Sequence, residues 1–461
     1  MNLKKFIGDK KFYKRVLFLA VPIMIQNGIT NFVSLLDNIM IGQMGTVQMS
    51  GASIVNQLIF VYFLCIFGAV SGAGIFTAQY YGKQDMKGIQ YTFRFKLFIV
   101  TLLTALAIVL FCCMGDTLIT LYLSGEGKAS DAAAILVYGK QYLAVTLFGL
   151  PAFMIGQVYA STLRECGETV VPMKAGLVAV FVNLVFNYLL IFGKFGFPQL
   201  GVEGAAIATV LSRYVETAII VFWTHTHKKE NPYITGMYAS LYIPGDVMKN
   251  IVIKGTPLLF NEGLWASGMA MLTQCYSVRG LSVVASLNIA NTINNVFNVV
   301  FIALGDSVAI IVGQLLGAGE MEEARETDTK MIAFSVGACF IVGVLMLLFA
   351  PLFPMLYNTT DDVRHLATQI IMVAAVFMPQ SAFLHAAYFT LRSGGKTFIT
   401  FLFDSASIWC LSVPVVYALS RFTGLSMIMI YVACYLTETL KALLGFILVK
   451  KGIWLQNIVK E

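Results

Sequence analysis

Apolar runs long enough to cross a bilayer recur about twelve times along this chain, and nothing else in the sequence constrains the fold as strongly. A helix needs roughly 20 predominantly apolar residues to traverse about 30 Å of hydrocarbon. Such runs fall near 16–41, 52–78, 93–115, 134–158, 170–192, 203–225, 248–276, 283–312, 328–350, 366–390, 398–420 and 425–449. Backbone N–H and C=O groups in lipid must be satisfied inside the chain, and helices do this without partners. Charged residues make up only 12% of the sequence, against roughly 25% in soluble domains. The mean hydropathy is +0.80. These values exclude an ordinary soluble domain and predict an all-α polytopic membrane protein with twelve transmembrane helices.

The net charge of +7 is unevenly placed. Alternate connections hold roughly 23 basic residues, and the other set roughly 6, which by the positive-inside rule puts both termini in the cytoplasm; the expected location is the plasma membrane. That rule accounts for the basic loops without nucleic acid. The eight cysteines have no paired spacing with histidines, so neither a zinc site nor a disulfide framework is indicated. No Gly-x-x-x-x-Gly-Lys-Ser/Thr phosphate loop and no nucleophile–base spacing is found. The expectation is a protein that is not an enzyme, with no catalytic residues, no metal and no cofactor.

The chain also repeats itself. Pro22 and Pro257 lie 235 residues apart, as do Gln79-Tyr-Tyr-Gly82 and Gln314-Leu-Leu-Gly317. Thr162-Leu-Arg-x-x-Gly-x-Thr169 matches Thr390-Leu-Arg-x-x-Gly-x-Thr397 at an offset of 228. Two six-helix lobes follow, residues 1–230 and 246–461, with a polar linker at 231–245. Six is even, so both lobes insert the same way and relate by an axis along the membrane normal. Parallel lobes flanking a cleft describe an alternating-access transporter.

Ionisable residues inside the runs mark where function is sought. The first run, Val16–Gly42, carries Pro22, which removes a backbone hydrogen bond and predicts a bend. Asp37 lies about 22 Å further along the axis and costs on the order of 3 kcal/mol to insert. Asp306 lies deep in the eighth run, and Asp404 follows a loop whose Arg392 and Lys396 are expected to neutralise it. Arg213 with Glu216, and Glu438 with Lys441, have i,i+3 spacing and are expected to neutralise each other. His385 on an apolar helix is expected to be a packed neutral imidazole rather than a proton relay.

Taken in order, several segments resemble the multidrug and toxic compound extrusion (MATE) family over essentially the whole chain. They are Pro22 with Asp37, Gly72-Ala-Gly through Ala-Gln-Tyr-Tyr-Gly82, Leu163-Arg-Glu-Cys-Gly-Glu-Thr169, Leu200-Gly-Val-Glu-Gly-Ala-Ala-Ile-Ala-Thr209, Glu262, and Ile311-Val-Gly-Gln-Leu-Leu-Gly317. The resemblance implies export of amphipathic, mostly cationic compounds by an antiporter coupled to inward proton or sodium movement. It implies an ion-coupling site of Asp37, Asn183, Asn187 and Thr209; the two asparagines, four apart, share a helical face. Several relatives carry aspartate where Asn187 stands, which leaves one carboxylate and favours proton over sodium coupling. Glu262 resembles a C-lobe ion or substrate site, with Trp265 placed to stack on a bound cation. Ser381 stands where some branches have the partnering aspartate. The expected partners are small amphipathic molecules and the lipid bilayer, with the chain a monomer. The alternative is a flippase for a lipid-linked sugar, whose pyrophosphate would call for a cleft lined by Arg213, Arg279 and Lys441.

Overall fold

The computed structural model describes residues 5–123 and 129–460, and the regular structure among them is helical throughout. The N-terminal half supplies α1 (Lys10–Gly42), α2 (Thr46–Gly82) and α3 (Met86–Leu123). In α4, Ala129–Thr146 continues through a 3-10 turn at Leu147–Gly149 into Leu150–Glu165. Then come α5 (Val170–Phe192) and α6 (Val202–Thr226). The C-terminal half supplies α7 (Gly245–Ser277), α8 (Leu281–Ala318), α9 (Met321–Phe349) and α10 (Asp361–Ser393). In α11, Thr397–Phe401 passes through two π-helical segments, Leu402–Ala406 and Ile408–Ser412, into Val413–Phe422. Met427–Lys450 is α12.

Helices α1 and α7 each have 33 residues and start 235 apart; each has its proline in the interior. Eleven spans among the described residues are long and apolar enough to cross a membrane. The twelfth, α7, is long enough but is diluted by Pro257, Asn261 and Glu262. The most apolar windows of α2 and α8 are 61% and 67% buried, against 17% in α3 and 11% in α12, so the repeat-related α2 and α8 are the inner helices. Phe98, Leu102, Leu106 and Val109 of α3 are correspondingly exposed, as lipid-facing residues are.

The chain divides into two compact units, and their borders depart from a plain cut at the linker. One holds Ile25–Thr77 and Met86–Ile251; the other holds the chain up to Met24, Ala78–Asp85 and everything from Val252. The segment expected as a linker at 231–245 is packed into the first unit. Gln90 Nε2 donates to the Tyr233 and Thr235 carbonyls at 2.9 Å each. Arg94 donates from Nε to the Met237 carbonyl and from Nη1 to that of Tyr242, both at 3.0 Å. Tyr233, Ile234 and Met237 are buried.

The second unit is closed at one end by the crossing of two repeated motifs. A Cβ on Gly82 would fall on the backbone carbonyl of Gln314, and a Cβ on Gly317 would fall on that of Gln79. The two Gln-x-x-Gly segments therefore pass backbone against backbone, which only glycine permits. The chain after α12 seals this end. Gln79 donates to the Ser393 and Gln456 carbonyls at 2.9 and 3.1 Å and accepts from the Ile458 amide at 2.8 Å. Asn457 reaches the Gly317 carbonyl at 3.1 Å, and Trp454 is buried in the core with Val16, Leu19 and Ile23 of α1.

Because backbone cannot rotate out of the way, Gly82→Ala and Gly317→Ala should each destabilise the protein by roughly 1–3 kcal/mol or more. Gly337→Ala, whose Cβ would meet open space, should leave stability unchanged or raise it. Thermal melting of the purified protein in detergent checks all three.

Candidate functional site

In the N-terminal unit a chain of polar side chains crosses three helices. Asn187 on α5 donates from Nδ2 to Asp37 Oδ1 on α1 at 2.5 Å and to Asn183 Oδ1, one turn away, at 3.2 Å. Asn183 Nδ2 reaches Thr209 Oγ1 on α6 at 3.3 Å, and that hydroxyl donates to the Ala205 carbonyl at 3.0 Å. The i,i+4 spacing on α5 puts both amides on one face, toward α6. Asn183 and Asn187 are buried, while Asp37 is only partly so. The carbonyl oxygen of Asn187 is buried without a hydrogen-bond partner. Turning that amide over would set its oxygen against the Asp37 carboxylate, so the idle acceptor is held beside the one anionic group of this chain of contacts. On the same unit Arg213 pairs with Glu216 at 3.0 Å, the pairing its spacing predicts.

The C-terminal unit holds a second polar cluster, with different parts. Lys441 on α12 donates to Asp404 Oδ1 at 2.9 Å, and Asn261 on α7 donates to Asp404 Oδ2 at 3.1 Å. Ser405 Oγ lies 2.7 Å from Asn261 Oδ1 and 2.8 Å from the Asn261 carbonyl. Asp404 and Ser405 both sit in the first π-helical segment of α11. A π turn displaces carbonyls from the regular ladder. Ser407 collects two of them, Phe403 and Asp404, at 2.8 and 2.7 Å. Two expectations are corrected here. Asp404 is neutralised by Lys441, not by Arg392 and Lys396, and Lys441 forms its ion pair with Asp404 rather than Glu438. The reason is tertiary: the π segment turns Asp404 toward α12, and 37 residues of chain separate the partners. Asn261 had no sequence signal of its own beyond adjacency to Glu262.

The remaining candidates are more scattered. Glu262 follows Asn261 on α7, partly buried, with no hydrogen bond or ion pair among the described residues. Trp265, one turn on, is exposed. Asp306 is partly buried on α8. His385 is packed among Phe301, Tyr388 and Phe389, as an uncharged ring would be. Ser381 lines a cavity of about 60 Å³ with Asn294, Asn298, Phe301 and Tyr435. Among the described residues no cluster of three or more His, Cys, Asp or Glu side chains could hold a metal ion.

The MatE family pattern matches residues 22–189 and again 257–418, each match opening on one of the repeat-related prolines, Pro22 or Pro257, and the pair covering most of the chain. The chain belongs to the MatE family. Members of this family are membrane transporters rather than enzymes. The chain is 26% identical over 457 residues to the probable multidrug resistance protein NorM of Thermotoga maritima, covering 97% of this chain and 94% of that protein. It is 24% identical over 428 residues to the NorM of Bacillus subtilis, covering 92% of each. Among solved structures, a MATE crystal structure in the bent conformation superposes with a TM-score of 0.83 at 19% identity, covering 97% and 96% of the two chains. The Vibrio cholerae MATE transporter VcmN in its bent form gives 0.84 at 16%, covering 96% and 97%. A MOP superfamily transporter from Pyrococcus furiosus, described as having a binding pocket of reverse polarity that suggests a different function, gives 0.85 at 18% and 97% of each chain. At these identities the structures establish the shared MATE fold of two six-helix lobes.

Removing one partner of a mostly buried ion pair strands the other charge. Lys441→Met should therefore cost about 3 kcal/mol or more of stability, and the double change Lys441→Met with Asp404→Leu should restore most of it. Thermal melts of the two variants against the parent decide this.

Proposed function

We propose that this MatE-family protein exports amphipathic, mostly cationic small molecules by alternating access, driven by proton entry through Asp37, with sodium the less favoured ion. The observation that carries the reading is the make-up of the Asp37 site. The one carboxylate accepts from the neutral amide of Asn187, behind which stand Asn183 and Thr209, and the cation whose charge reaches it, Arg213, is already paired with Glu216. A sodium ion must shed water to bind there, and neutral oxygens repay that less well than carboxylates. A proton needs a single basic group with water access in one state.

Protonation would cancel the charge that orients Asn187 and loosen α1 from α5. Helix α1 already lacks a ladder hydrogen bond at Pro22, and its division between the two compact units falls between Met24 and Ile25, next to that proline. The bend at Pro22 is thus the two-state element that the proton biases. The related folds described as bent are consistent with such a motion in this fold family.

The charges left without a partner bear on substrate charge. The three basic side chains expected to line a flippase cleft are already engaged. Arg213 pairs with Glu216, Lys441 with Asp404, and Arg279 donates to the Leu419 and Thr423 carbonyls. Glu262 keeps its carboxylate without such a partner, which supports cationic cargo over the flippase alternative. Pocket polarity, rather than the fold, distinguishes these readings. The placement we infer is the plasma membrane with both termini cytoplasmic, from the basic loops, and the working unit is a monomer.

Dye efflux from proteoliposomes with separately imposed gradients tests the coupling. A proton gradient alone should drive export, and a sodium gradient without a pH difference should not; robust sodium-driven export lost on potassium replacement would overturn the assignment. Asp37→Asn should abolish coupled export while melting like the parent. Glu262→Gln should weaken binding and export of cationic dyes; unchanged values for both would make that residue structural.

A further inference from the structure

Asp328 lies on α9 and is 1% exposed. Its Oδ1 is 2.5 Å from the hydroxyl of Thr390 on α10, which is itself fully buried. Its Oδ2 has no hydrogen-bond partner. The same Thr390 hydroxyl lies 3.0 Å from the Ala386 carbonyl one turn back. A hydroxyl has one hydrogen, and a carbonyl and an ionised carboxylate are both acceptors only. In an ionised Asp328 that hydrogen would serve Oδ1 and leave Oδ2 bare out of water, whereas a proton on Asp328 removes the charge and supplies a second hydrogen. Asp328 then donates to Thr390, and Thr390 donates to Ala386.

The N-terminal unit shows the same relay with its donor visible. Thr162, the repeat partner of Thr390, donates to the Val158 carbonyl at 2.8 Å and accepts from Lys96 Nζ at 3.1 Å. Lys96 on α3 occupies the place of Asp328 on α9 to within one helical turn, since the helices start 235 apart and these residues 232 apart. The ammonium is balanced by Glu165 at 2.5 Å. In that unit the group facing the threonine is a donor. In the C-terminal unit it can donate only as a protonated acid.

No ion pair neutralises Asp328 among the described residues. On α9 itself, Arg325 is engaged with Glu322 and Lys330 with Glu326, while Glu320 and Glu323 at its start add only negative charge. From α10, Arg392 stacks its guanidinium over Phe389 at 5.1 Å, and His385 is held among aromatic rings. From α1, Arg15 bonds Gln314, and α8 contributes Asp306, also an acid. An ionised carboxylate in this setting would carry an uncompensated charge out of water.

We infer that Asp328 is a proton-binding site of the C-terminal unit, its proton joining α9 to α10 through Thr390. This inference stands apart from the reading of Asp37. Release of the proton requires water to reach Asp328, and so requires α9 and α10 to separate at this point.

The test is infrared spectroscopy of the purified protein in the carboxylic-acid C=O region, from mildly acidic to mildly alkaline buffer. The parent should show an acid band at neutral pH that Asp328→Asn lacks; the asparagine amide still donates to Thr390, so the variant should fold. Asp37→Asn measured in parallel separates the two carboxyls. Spectra of the parent and Asp328→Asn that superpose at every pH would overturn the inference. Should Asp328→Asn not fold, Thr390→Val in the parent removes the acceptor, and the band should move to higher frequency; a band left in place would overturn it equally.

Discussion

Polar groups inside these apolar helices must find partners within the protein, because lipid offers none, and the rest of the structure depends on how that demand is met. Three ionisable groups set inside the units meet it differently. Lys96 is balanced by Glu165 and two hydroxyls. Asp404 takes a lysine and an amide. Asp37 has amide help but no cation among its hydrogen-bond donors. The first two arrangements neutralise charge permanently and hold helices together. The third leaves a charge without a directly bonded cation.

The internal repeat explains the scaffold but does not copy its chemistry. The lengths of α1 and α7, their prolines Pro22 and Pro257, and the Gln-x-x-Gly motifs recur in register. The segments after the sixth and twelfth helices also play parallel parts. Residues 231–245 are held by Gln90 and Arg94 against the first unit, and the segment from Trp454 to Val459 is held by Gln79 and Lys83 in the second. Ionisable residues follow this symmetry only in places, as Arg164 and Arg392 do. A lysine faces the repeated threonine in one unit and an aspartate in the other. Duplication supplied two equivalent folds, and the polar side chains inside them diverged.

The π-helical stretch of α11 shows how backbone irregularity and side-chain chemistry are linked. An extra residue per turn shifts which faces the side chains present. Here Asp404 meets α12 while Ser405 meets α7, and the Ser407 hydroxyl lies against the Phe403 and Asp404 carbonyls. Such an interruption inside a membrane is tolerated where neighbouring helices, hydroxyls or the π hydrogen bonds themselves satisfy the backbone.

Local periodicity carried most of the architecture. Length and hydropathy marked the runs, and repeat spacing set two six-helix lobes. The i,i+4 spacing of Asn183 and Asn187 was enough to put both amides on one face of α5, because that relation is internal to one helix. Partners lying on different helices were beyond this reach. Glu438 stands beside Lys441 in sequence, yet the lysine pairs with Asp404, since a π turn that no spacing rule announces re-aims α11. The border of the compact units moved for a similar reason. The last turn of α2 joined the second unit because two glycines let its backbone meet that of α8. Asp328 passed unnoticed, as the start of a run rich in charges reads as a solvated helix end; only the packing of α10 over it made it a buried acid facing a threonine. Sequence determines what each helix can present along its own axis, whereas which groups meet across helices depends on crossing geometry, which only the folded structure contains.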